Sequence, residues 1–331
     1  MFTALPHISR RRALQGAAAA LVVFGLLVWW LFPVGDDSPS GRMTFSTGVK
    51  NAVYERYGKL LRTAVSHDMP KVDVELLNSE GSQQNVERVA TGKADFTIAA
   101  ADAVEKYRLE GRTGADRLRG CARLYDDYVQ LVVRRTSDIE KAQDLRGKKV
   151  AVGQPRSGVR LIADRVLKAA ELDPGKDLTA VGAGIDKAPD LLKKGDIDAF
   201  FWSGGLPTTT VRLLSEKFDI RLVELGTLVE ALHKQGGASR YYRAAVMPAD
   251  AYPAAQQHDA VPTLAVANLL VTTDRADPKL TEGLTRTVID SRDHIGGKVH
   301  AAQLVDLRTA LYTDPLDLHE GARRYYQSVK P

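Results

Sequence analysis

The stretch GQPRSG, residues 153–158, follows an apolar segment and precedes a segment with helical spacing. Its two glycines stand as in a phosphate-binding P-loop, but Val159 and Arg160 occupy the places where that loop needs Lys and then Ser or Thr. The turn therefore lacks the groups that hold a nucleotide with its magnesium ion. It still offers free backbone N–H groups at a helix start, where about half a positive charge is concentrated. We expect it to bind a carboxylate or phosphate group of a smaller ligand.

Three further turns, within residues 46–54, 78–85 and 201–207, are rich in Gly, Ser, Thr and Asn and follow predicted strands. Any one of them could simply cap a helix. Ligands of open parallel sheets bind outside the carboxyl ends of the strands, so four such turns at one end indicate a ligand cleft. The predicted ligand-binding residues are Thr47, Gly48, Val53, Tyr54, Gly81, Ser82, Gln83, Asn85, Asp102, Ser157, Gly158, Val159, Trp202, Ser203 and Gly204.

The sequence contains no recognisable catalytic motif. There is no G-x-S-x-G, and Ser157 and Ser203 have no histidine nearby in sequence. Cys121 is the single cysteine, which excludes an internal disulfide and a Cys-rich metal site. We expect its thiol to be buried and to have no chemical role. The seven histidines show no H-x-x-x-H or H-x-H spacing. We therefore predict no catalytic residue, no metal and no cofactor; Asp102 either lines the cleft or caps a helix.

The elements that must position these turns repeat along the chain. Residues 43–100 and 149–202 both have the apolar spacing of strand–helix–strand–helix–strand, the order of a parallel sheet with right-handed crossovers. Both copies contain Gly, any residue, an apolar residue, Asp and an apolar residue, beginning at Gly92 and Gly195. Each glycine is expected to end a helix in the left-handed conformation. The sequence thus predicts an α/β fold with two lobes of similar plan.

The chain must pass between the lobes and return. Residues 125–135 are predicted to form the first crossover, and a return is expected near residues 222–245. The remaining tail, residues 278–331, has helical spacing. The predicted domains are an N-terminal segment with linker (1–41), lobe 1 (42–128 and 240–331) and lobe 2 (129–239).

The N-terminus predicts the cellular location. Residues 13–35 carry no charge and are long enough to span a bilayer. The arginines at 10–12 should stay cytoplasmic, which places the rest of the chain outside the membrane. We favour an uncleaved anchor; the alternative is a twin-arginine export signal, which would be cleaved and release a secreted protein. The net charge of +5 over 331 residues is mildly basic and is not gathered with aromatics as in nucleic-acid-binding surfaces.

Several segments resemble the TAXI family of solute-binding subunits of TRAP transporters. DLRGKKVAVGQPRSGV (144–159) is similar to the family's D-L-x-G-K-x-V-x-x-G-x-x-x-S-G-T segment. GDIDAFFWSGGLP (195–207) resembles its G-x-I-D-A-F-F stretch, and MPADAYP (247–253) its I-P-x-x-x-Y-P segment. Earlier segments of the chain also follow the family's order. They are YERYGKLL, a strand, N-S-E-G-S-x-x-N, a helix and G-x-A-D-F. The resemblance covers about residues 43–290.

The resemblance implies a type II periplasmic-binding-protein-like fold, two βαβαβ-type lobes that close over a ligand cleft. It further implies capture of a small carboxylate or amino acid, such as glutamate or 2-oxoglutarate, and delivery to an ion-driven TRAP-type permease. The family's ligand turns fall on Thr47–Tyr54, Gly81–Asn85, Ser157–Gly158 and Phe201–Gly205. Val159 replaces the family's usual Thr. A sensor module for a membrane receptor stays open as an alternative, as does a cleft enzyme with a catalytic dyad across the lobes.

Overall fold

The computed structural model describes residues 21–24, 38–50 and 52–329. The predicted membrane segment lies outside the described residues except for 21–24, which are helical and exposed. Among the helices in these ranges, none is long and apolar enough to cross a membrane. Pro39–Pro331 form one compact unit.

The strands alternate with helices, as the sequence predicts. The strands are β1 (Gly41–Ser46), β2 (Val72–Leu77), β3 (Phe96–Ala100), β4 (Leu118–Arg134), β5 (Lys149–Ala151), β6 (Thr179–Val181), β7 (Ala199–Gly204), β8 (Ile220–Val223), β9 (Arg243–Met247) and β10 (Val261–Thr273). The helices are α1 (Val53–Asp68), α2 (Ser82–Ala90), α3 (Ala101–Leu109), α4 (Gly158–Ala169), α5 (Ala188–Lys194), α6 (Thr209–Lys217), α7 (Val229–Lys234), α8 (Pro253–Gln256), α9 (Pro278–Asp290), α10 (Arg292–Gly296), α11 (Leu307–Ala310) and α12 (Glu320–Ser328). Short 3₁₀ turns occupy Ala115–Arg117, Ala142–Leu145, Gly226–Leu228, Gly237–Tyr241 and His300–Leu304.

The strands pair in the same order in the two halves of the chain. The first half has the order β2-β1-β3-β10-β4, and the second has β6-β5-β7-β4-β8. The first three strands of each half are parallel, and a long strand from the other half runs antiparallel beside β3 or β7. This confirms the predicted α/β fold with two lobes. Each half places the carboxyl ends of its parallel strands at one edge.

The repeated Gly–Asp pattern has a structural role in both halves. Asp95 accepts hydrogen bonds of 2.7 Å from the backbone N–H and the hydroxyl of Thr44, and its own N–H donates to the Thr44 carbonyl. Asp198 accepts from the Lys149 N–H at 2.8 Å and donates its N–H to the Lys149 carbonyl. Each aspartate therefore ties the start of its strand to the first strand of its lobe.

The helices that precede these aspartates end as predicted. Gly92 follows α2 with φ of +74°, and Gly195 follows α5 with φ of +81°. Both values lie in the left-handed region that glycine occupies without steric cost. The chain can therefore leave the helix and enter the next parallel strand within a few residues.

Two long strands connect the halves. The first part of β4 pairs with β10 and its last part pairs with β7 and β8, so the crossover predicted at 125–135 lies within β4. The return predicted near 222–245 is wrong: the return strand is β10, at Val261–Thr273. β8 and β9 are short strands that pair with the long ones, whereas β10 carries the long apolar run that a central strand requires.

Each half has its own hydrophobic core. Met43, Phe45 and Tyr57 belong to a cluster of the first half, and Leu131 and Phe200 to a cluster of the second. The second cluster also contains residues from the segment 242–266, through β9 and the start of β10. The predicted lobe boundaries stay a prediction.

Candidate ligand-binding cleft

A cavity lies between the two halves, at the carboxyl ends of their parallel strands. It encloses about 610 Å³ of empty space, part of it open to solvent. This is within the range of small-molecule sites. Segments from all four predicted turns line it. The predicted residues in its wall are Gly48, Val53, Tyr54, Gly81, Ser82, Ser157, Gly158, Val159, Trp202 and Ser203.

Three helices begin at the cavity wall. The first residues of α1, α2 and α4 all line it, and neither Ala52 before α1 nor Gly81 before α2 caps its helix with a side chain. The first N–H groups of a helix have no partner within the helix, and its N-terminus carries about half a positive charge. The cavity wall therefore presents several backbone donors and a positive potential, which favour an anionic group.

The opening turn has the geometry that its sequence predicts. The Ser157 hydroxyl accepts from the Arg160 N–H at 3.0 Å, so Ser157 is the N-cap of α4. The N–H groups of Gly158 and Val159 precede Arg160 in the first turn of α4. They have no hydrogen-bond acceptor within the helix. Gly153, with φ of +84°, leaves no room for a side chain, because a Cβ there would lie 2.8 Å from the Cβ of Val159.

The two halves touch across the cavity. The Gln83 side chain donates to the Ser157 carbonyl at 2.8 Å, and the Gln84 N–H donates to the Arg156 carbonyl at 3.2 Å. The Glu80 carboxylate accepts from the Arg156 N–H at 3.1 Å, which offsets part of the positive potential at the start of α4. These contacts join the N-terminal ends of α2 and α4, so the structure represents a closed cleft.

A chain of hydrogen bonds fixes the aromatic ring of Tyr54. Its hydroxyl lies 3.0 Å from the Ser82 hydroxyl and donates to the side-chain oxygen of Asn268. Ser82 in turn accepts from the Ala100 N–H at 3.2 Å. Burial raises the pKa of Tyr54 well above its ordinary value, so the hydroxyl stays protonated. Tyr54 therefore lines the cavity as a fixed, neutral side chain.

Part of the cavity wall is apolar. Trp202 is 7% exposed and its indole N–H donates to the Thr208 hydroxyl at 2.9 Å, which fixes the plane of the ring. Val53, Ile162 and Ile185 complete this part of the wall. It suits an aliphatic or aromatic part of a solute.

Sequence reasoning missed Asp127, the buried carboxylate of this cavity. Asp127 lies in β4, is 6% exposed and lines the cavity, and its Oδ1 has no hydrogen-bond partner in the described part of the chain. Burial raises the pKa of this carboxyl to about 7, while the neighbouring Asn268 amide lowers it and the charges of Asp126 and Asp102 add to the rise. An aspartate inside a long crossover strand is the signal that could have identified it.

Ten further described residues line the cavity; five of them lie within the predicted turns but were not among the predicted ligand-binding residues, and five lie outside those turns. Besides Asp127, two residues of the wall have a buried polar atom without a partner among the described residues, namely the Ser203 hydroxyl, at a predicted position, and Oε1 of Gln154. The residues absent from the sequence prediction are Val49, Ala52, Glu80, Ala100, Asp127, Gly153, Gln154, Ile162, Gly184 and Ile185.

Asp102 lies outside the cavity lining. It occupies the first turn of α3, completely buried, where its carboxylate accepts from the Tyr242 hydroxyl at 2.6 Å and from Arg165 at 3.3 Å. Burial raises the pKa of Asp102, and the Arg165 charge and the Tyr242 hydrogen bond act in the opposite direction. Since Arg165 belongs to α4, this ion pair joins the two halves beside the cleft.

Four other predicted residues support the cavity from behind. Thr47 and Asn85 are completely buried, and Asn85 donates to the carbonyls of Thr47 and Ile98. The Gln83 side chain donates to the Ser157 carbonyl across the cleft. Gly204 packs against Trp202, whose indole nitrogen would lie 2.7 Å from an added Cβ.

The described residues contain no group of three or more His, Cys, Asp or Glu side chains arranged for a metal ion. Cys121 is completely buried, and burial raises its pKa far above its ordinary value. The thiol is therefore protonated and unreactive.

Comparisons with known proteins place the chain in a family. Residues 45–329 match the NMT1-like family. A protein of Bordetella bronchiseptica RB50 has a similar structure, with a TM-score of 0.52, 18% identity, and coverage of 88% of this chain and 90% of that one. A putative L-cystine ABC transporter of Listeria monocytogenes gives a TM-score of 0.51 at 13% identity, covering 80% of this chain and 98% of that one.

The periplasmic aliphatic sulphonate binding protein SsuA of Escherichia coli matches at a TM-score of 0.48 and 14% identity, with 89% of this chain and 84% of that chain covered. At these identities the solved structures bear on the fold alone. The chain belongs to the NMT1-like family and has the two-lobed α/β fold of periplasmic solute-binding proteins.

Proposed function

We propose that this protein is an extracytoplasmic solute-binding protein that captures a small solute bearing a carboxylate. The observation that carries the proposal is the convergence of the N-termini of α1, α2 and α4 on one cavity between two lobes. A carboxylate placed there accepts from the amides of Gly158 and Val159 and is stabilised by the helix dipoles. Trp202 and Ile162 then pack on the apolar part of the solute.

The proposal assigns binding without chemical conversion of the solute. Ser157 spends its hydroxyl on the Gln154 carbonyl and the Arg160 N–H, and none of the described residues that line the cavity is a histidine, so no serine–histidine pair lines it among these residues. The fold supports the same proposal, because a solved protein of similar fold is named as a putative L-cystine ABC transporter.

Within this role we propose, as the sequence resemblance implies, that the protein is a TAXI-type subunit that delivers its solute to a TRAP-type permease. Residues 1–41 would tether it to the outer side of the cell membrane. The candidate solutes are small carboxylates and amino acids, with glutamate and 2-oxoglutarate as the first to test. The membrane partner is tested by asking whether a permease copurifies with the full chain in detergent.

The experiment for the central proposal is thermal melting of the purified protein against a panel of amino acids, monocarboxylates and dicarboxylates, with neutral sugars as the control. A ligand present at 100 times its Kd stabilises the fold by about 2.7 kcal/mol, which raises the melting temperature by several degrees. Mass spectrometry of the denatured protein reports any solute that copurifies. A shift with sugars alone, or no shift and no copurified solute, would overturn the proposal.

A further inference from the structure

The cavity wall contains a buried carboxylate, that of Asp127, with an oxygen that no described N–H group contacts. Asp127 and Glu80 both line the cavity, and the described lining residues include no lysine, arginine or histidine. Glu80 is partnered by the Arg156 N–H, whereas Oδ1 of Asp127 has no partner among the described residues. A buried, ionised carboxylate oxygen without a partner is costly, so this oxygen either carries a proton or receives a hydrogen bond or cation from a ligand.

Among the described residues, Asp127 interacts with the hydroxyls of Tyr54 and Tyr125, the amide of Asn268 and the carboxylates of Asp102 and Asp126. These groups come from α1, α3, β4 and β10. Both of these carboxylates have partners of their own, since Asp102 pairs with Arg165, and Asp126 pairs with Arg123 and Arg243 outside the cavity. The described lining residues offer Asp127 no cationic side chain, so a cationic group on the solute would pair with its carboxylate, whereas a solute carboxylate would place a second negative charge beside it.

We propose that Asp127 receives a positively charged group of the solute, an ammonium in the simplest case, and thereby selects amino-carboxylates over carboxylates that lack the amine. This inference rests on the proposed function. The site then has two poles: the starts of α1, α2 and α4 hold the carboxylate, and Asp127 holds the ammonium. A zwitterionic amino acid satisfies both, because its two charges are separated by a single carbon atom. Two further atoms in the wall without a partner among the described residues, the Ser203 hydroxyl and Oε1 of Gln154, offer hydrogen bonds to the solute.

The test compares solutes that differ only in the amine. The full-length protein and its Asp127→Asn variant are titrated at pH 8 with L-glutamate against glutarate and with L-alanine against propionate. Asp126→Asn is the matched control, because Asp126 is the adjacent residue but pairs with Arg123 and Arg243 outside the cavity. Melting curves without ligand verify that each variant is folded.

The proposal predicts that the wild-type protein binds one amino acid more tightly than its partner without the amine. Asp127→Asn should weaken the binding of that amino acid about 30-fold or more, as removal of one member of a buried charge pair does. The same substitution should leave the affinity for the analogue without the amine unchanged or higher. Asp126→Asn should bind both solutes as the wild-type protein does. Acidification from pH 8 to pH 6 should weaken the binding of the amino acid to the wild-type protein, because protonation removes the charge of Asp127. It should not weaken binding to Asp127→Asn.

Two results would overturn the assignment while leaving the proposed function intact. One is an Asp127→Asn variant that discriminates between the paired solutes as the wild-type protein does. The other is a copurified or preferred solute without a basic nitrogen, bound more tightly at low pH, which would make Asp127 a protonated donor. Absence of any binder and of any copurified solute would overturn the proposed function, and the role of Asp127 with it.

Discussion

Substitution of Gly158 is the sharpest test of how the cleft closes. A Cβ at this position would lie 3.1 Å from the Ser82 hydroxyl and 3.3 Å from the Ser82 Cβ, across the contact between the two halves. Both distances are tighter than ordinary van der Waals contact, so Ser82, the first residue of α2, would have to move away by a few tenths of an ångström. Overpacking of this kind costs about 1–3 kcal/mol, and the cost falls only on the closed state. Gly158→Ala should therefore weaken solute binding about 5- to 150-fold.

The same substitution should not harm the protein without its solute. Gly158 is the first residue of α4, and alanine is the better helix former by up to about 1 kcal/mol. The variant should melt at or above the wild-type temperature while its ligand-induced shift decreases. Gly182→Ala is the matched control, because its Cβ would meet only the ring of Pro155, at 4.0 Å. Titration calorimetry with the copurified solute measures both variants, and wild-type affinity in Gly158→Ala would refute the closed-cleft reasoning.

Other substitutions separate stability from binding. Ser157→Asp keeps an N-cap acceptor, so the urea-unfolding free energy should change by less than about 1 kcal/mol, but its charge should abolish binding of an anionic solute; normal binding would contradict the anion site. Asp127 has a folded pKa of about 7, above the unfolded value, so it stabilises the fold at low pH and this contribution is lost as pH rises through 7. Asp127→Asn should therefore melt higher than the wild-type protein at pH 8 and equally near pH 4, and equal melting at pH 8 would contradict the burial argument. Tyr242→Phe should lower stability by about 1–3 kcal/mol in chemical denaturation, since it removes a donor from a buried carboxylate. Asp95→Ala and Asp198→Ala should each cost about 1–3 kcal/mol in denaturation and leave the order of solute affinities unchanged; a changed order would place them in the site.

Local patterns predicted the repeated elements because each segment carries its own signal. The period of apolar residues places α1 and β2 within a few residues of their observed positions, and Gly92 and Gly195 end their helices in the predicted conformation. The return strand was placed too early, because which strand crosses between lobes depends on long-range pairing that no local pattern contains. β10 is identified only by its register with β3 and β4.

The site was predictable where it consists of backbone groups at helix starts. The turns at Gly81 and Ser157 have recognisable sequences, and the fold brings them together because both follow parallel strands. Asp127 was not predictable in this way, since a charged residue within a strand has meaning only once its neighbours in space are known. Asp102 shows the converse: its position after β3 suggested the cleft, but Arg165 and Tyr242 draw it into a separate buried ion pair.

The most direct test of the account is a crystal structure of the protein with its copurified or identified solute. We predict that the carboxylate of the solute lies about 3 Å from the amides of Gly158 and Val159, at hydrogen-bonding distance, and that its cationic group lies against Asp127. A solute seated away from these amides, or with its carboxylate against Asp127, would contradict the central claim that the helix starts in this cleft hold the anion.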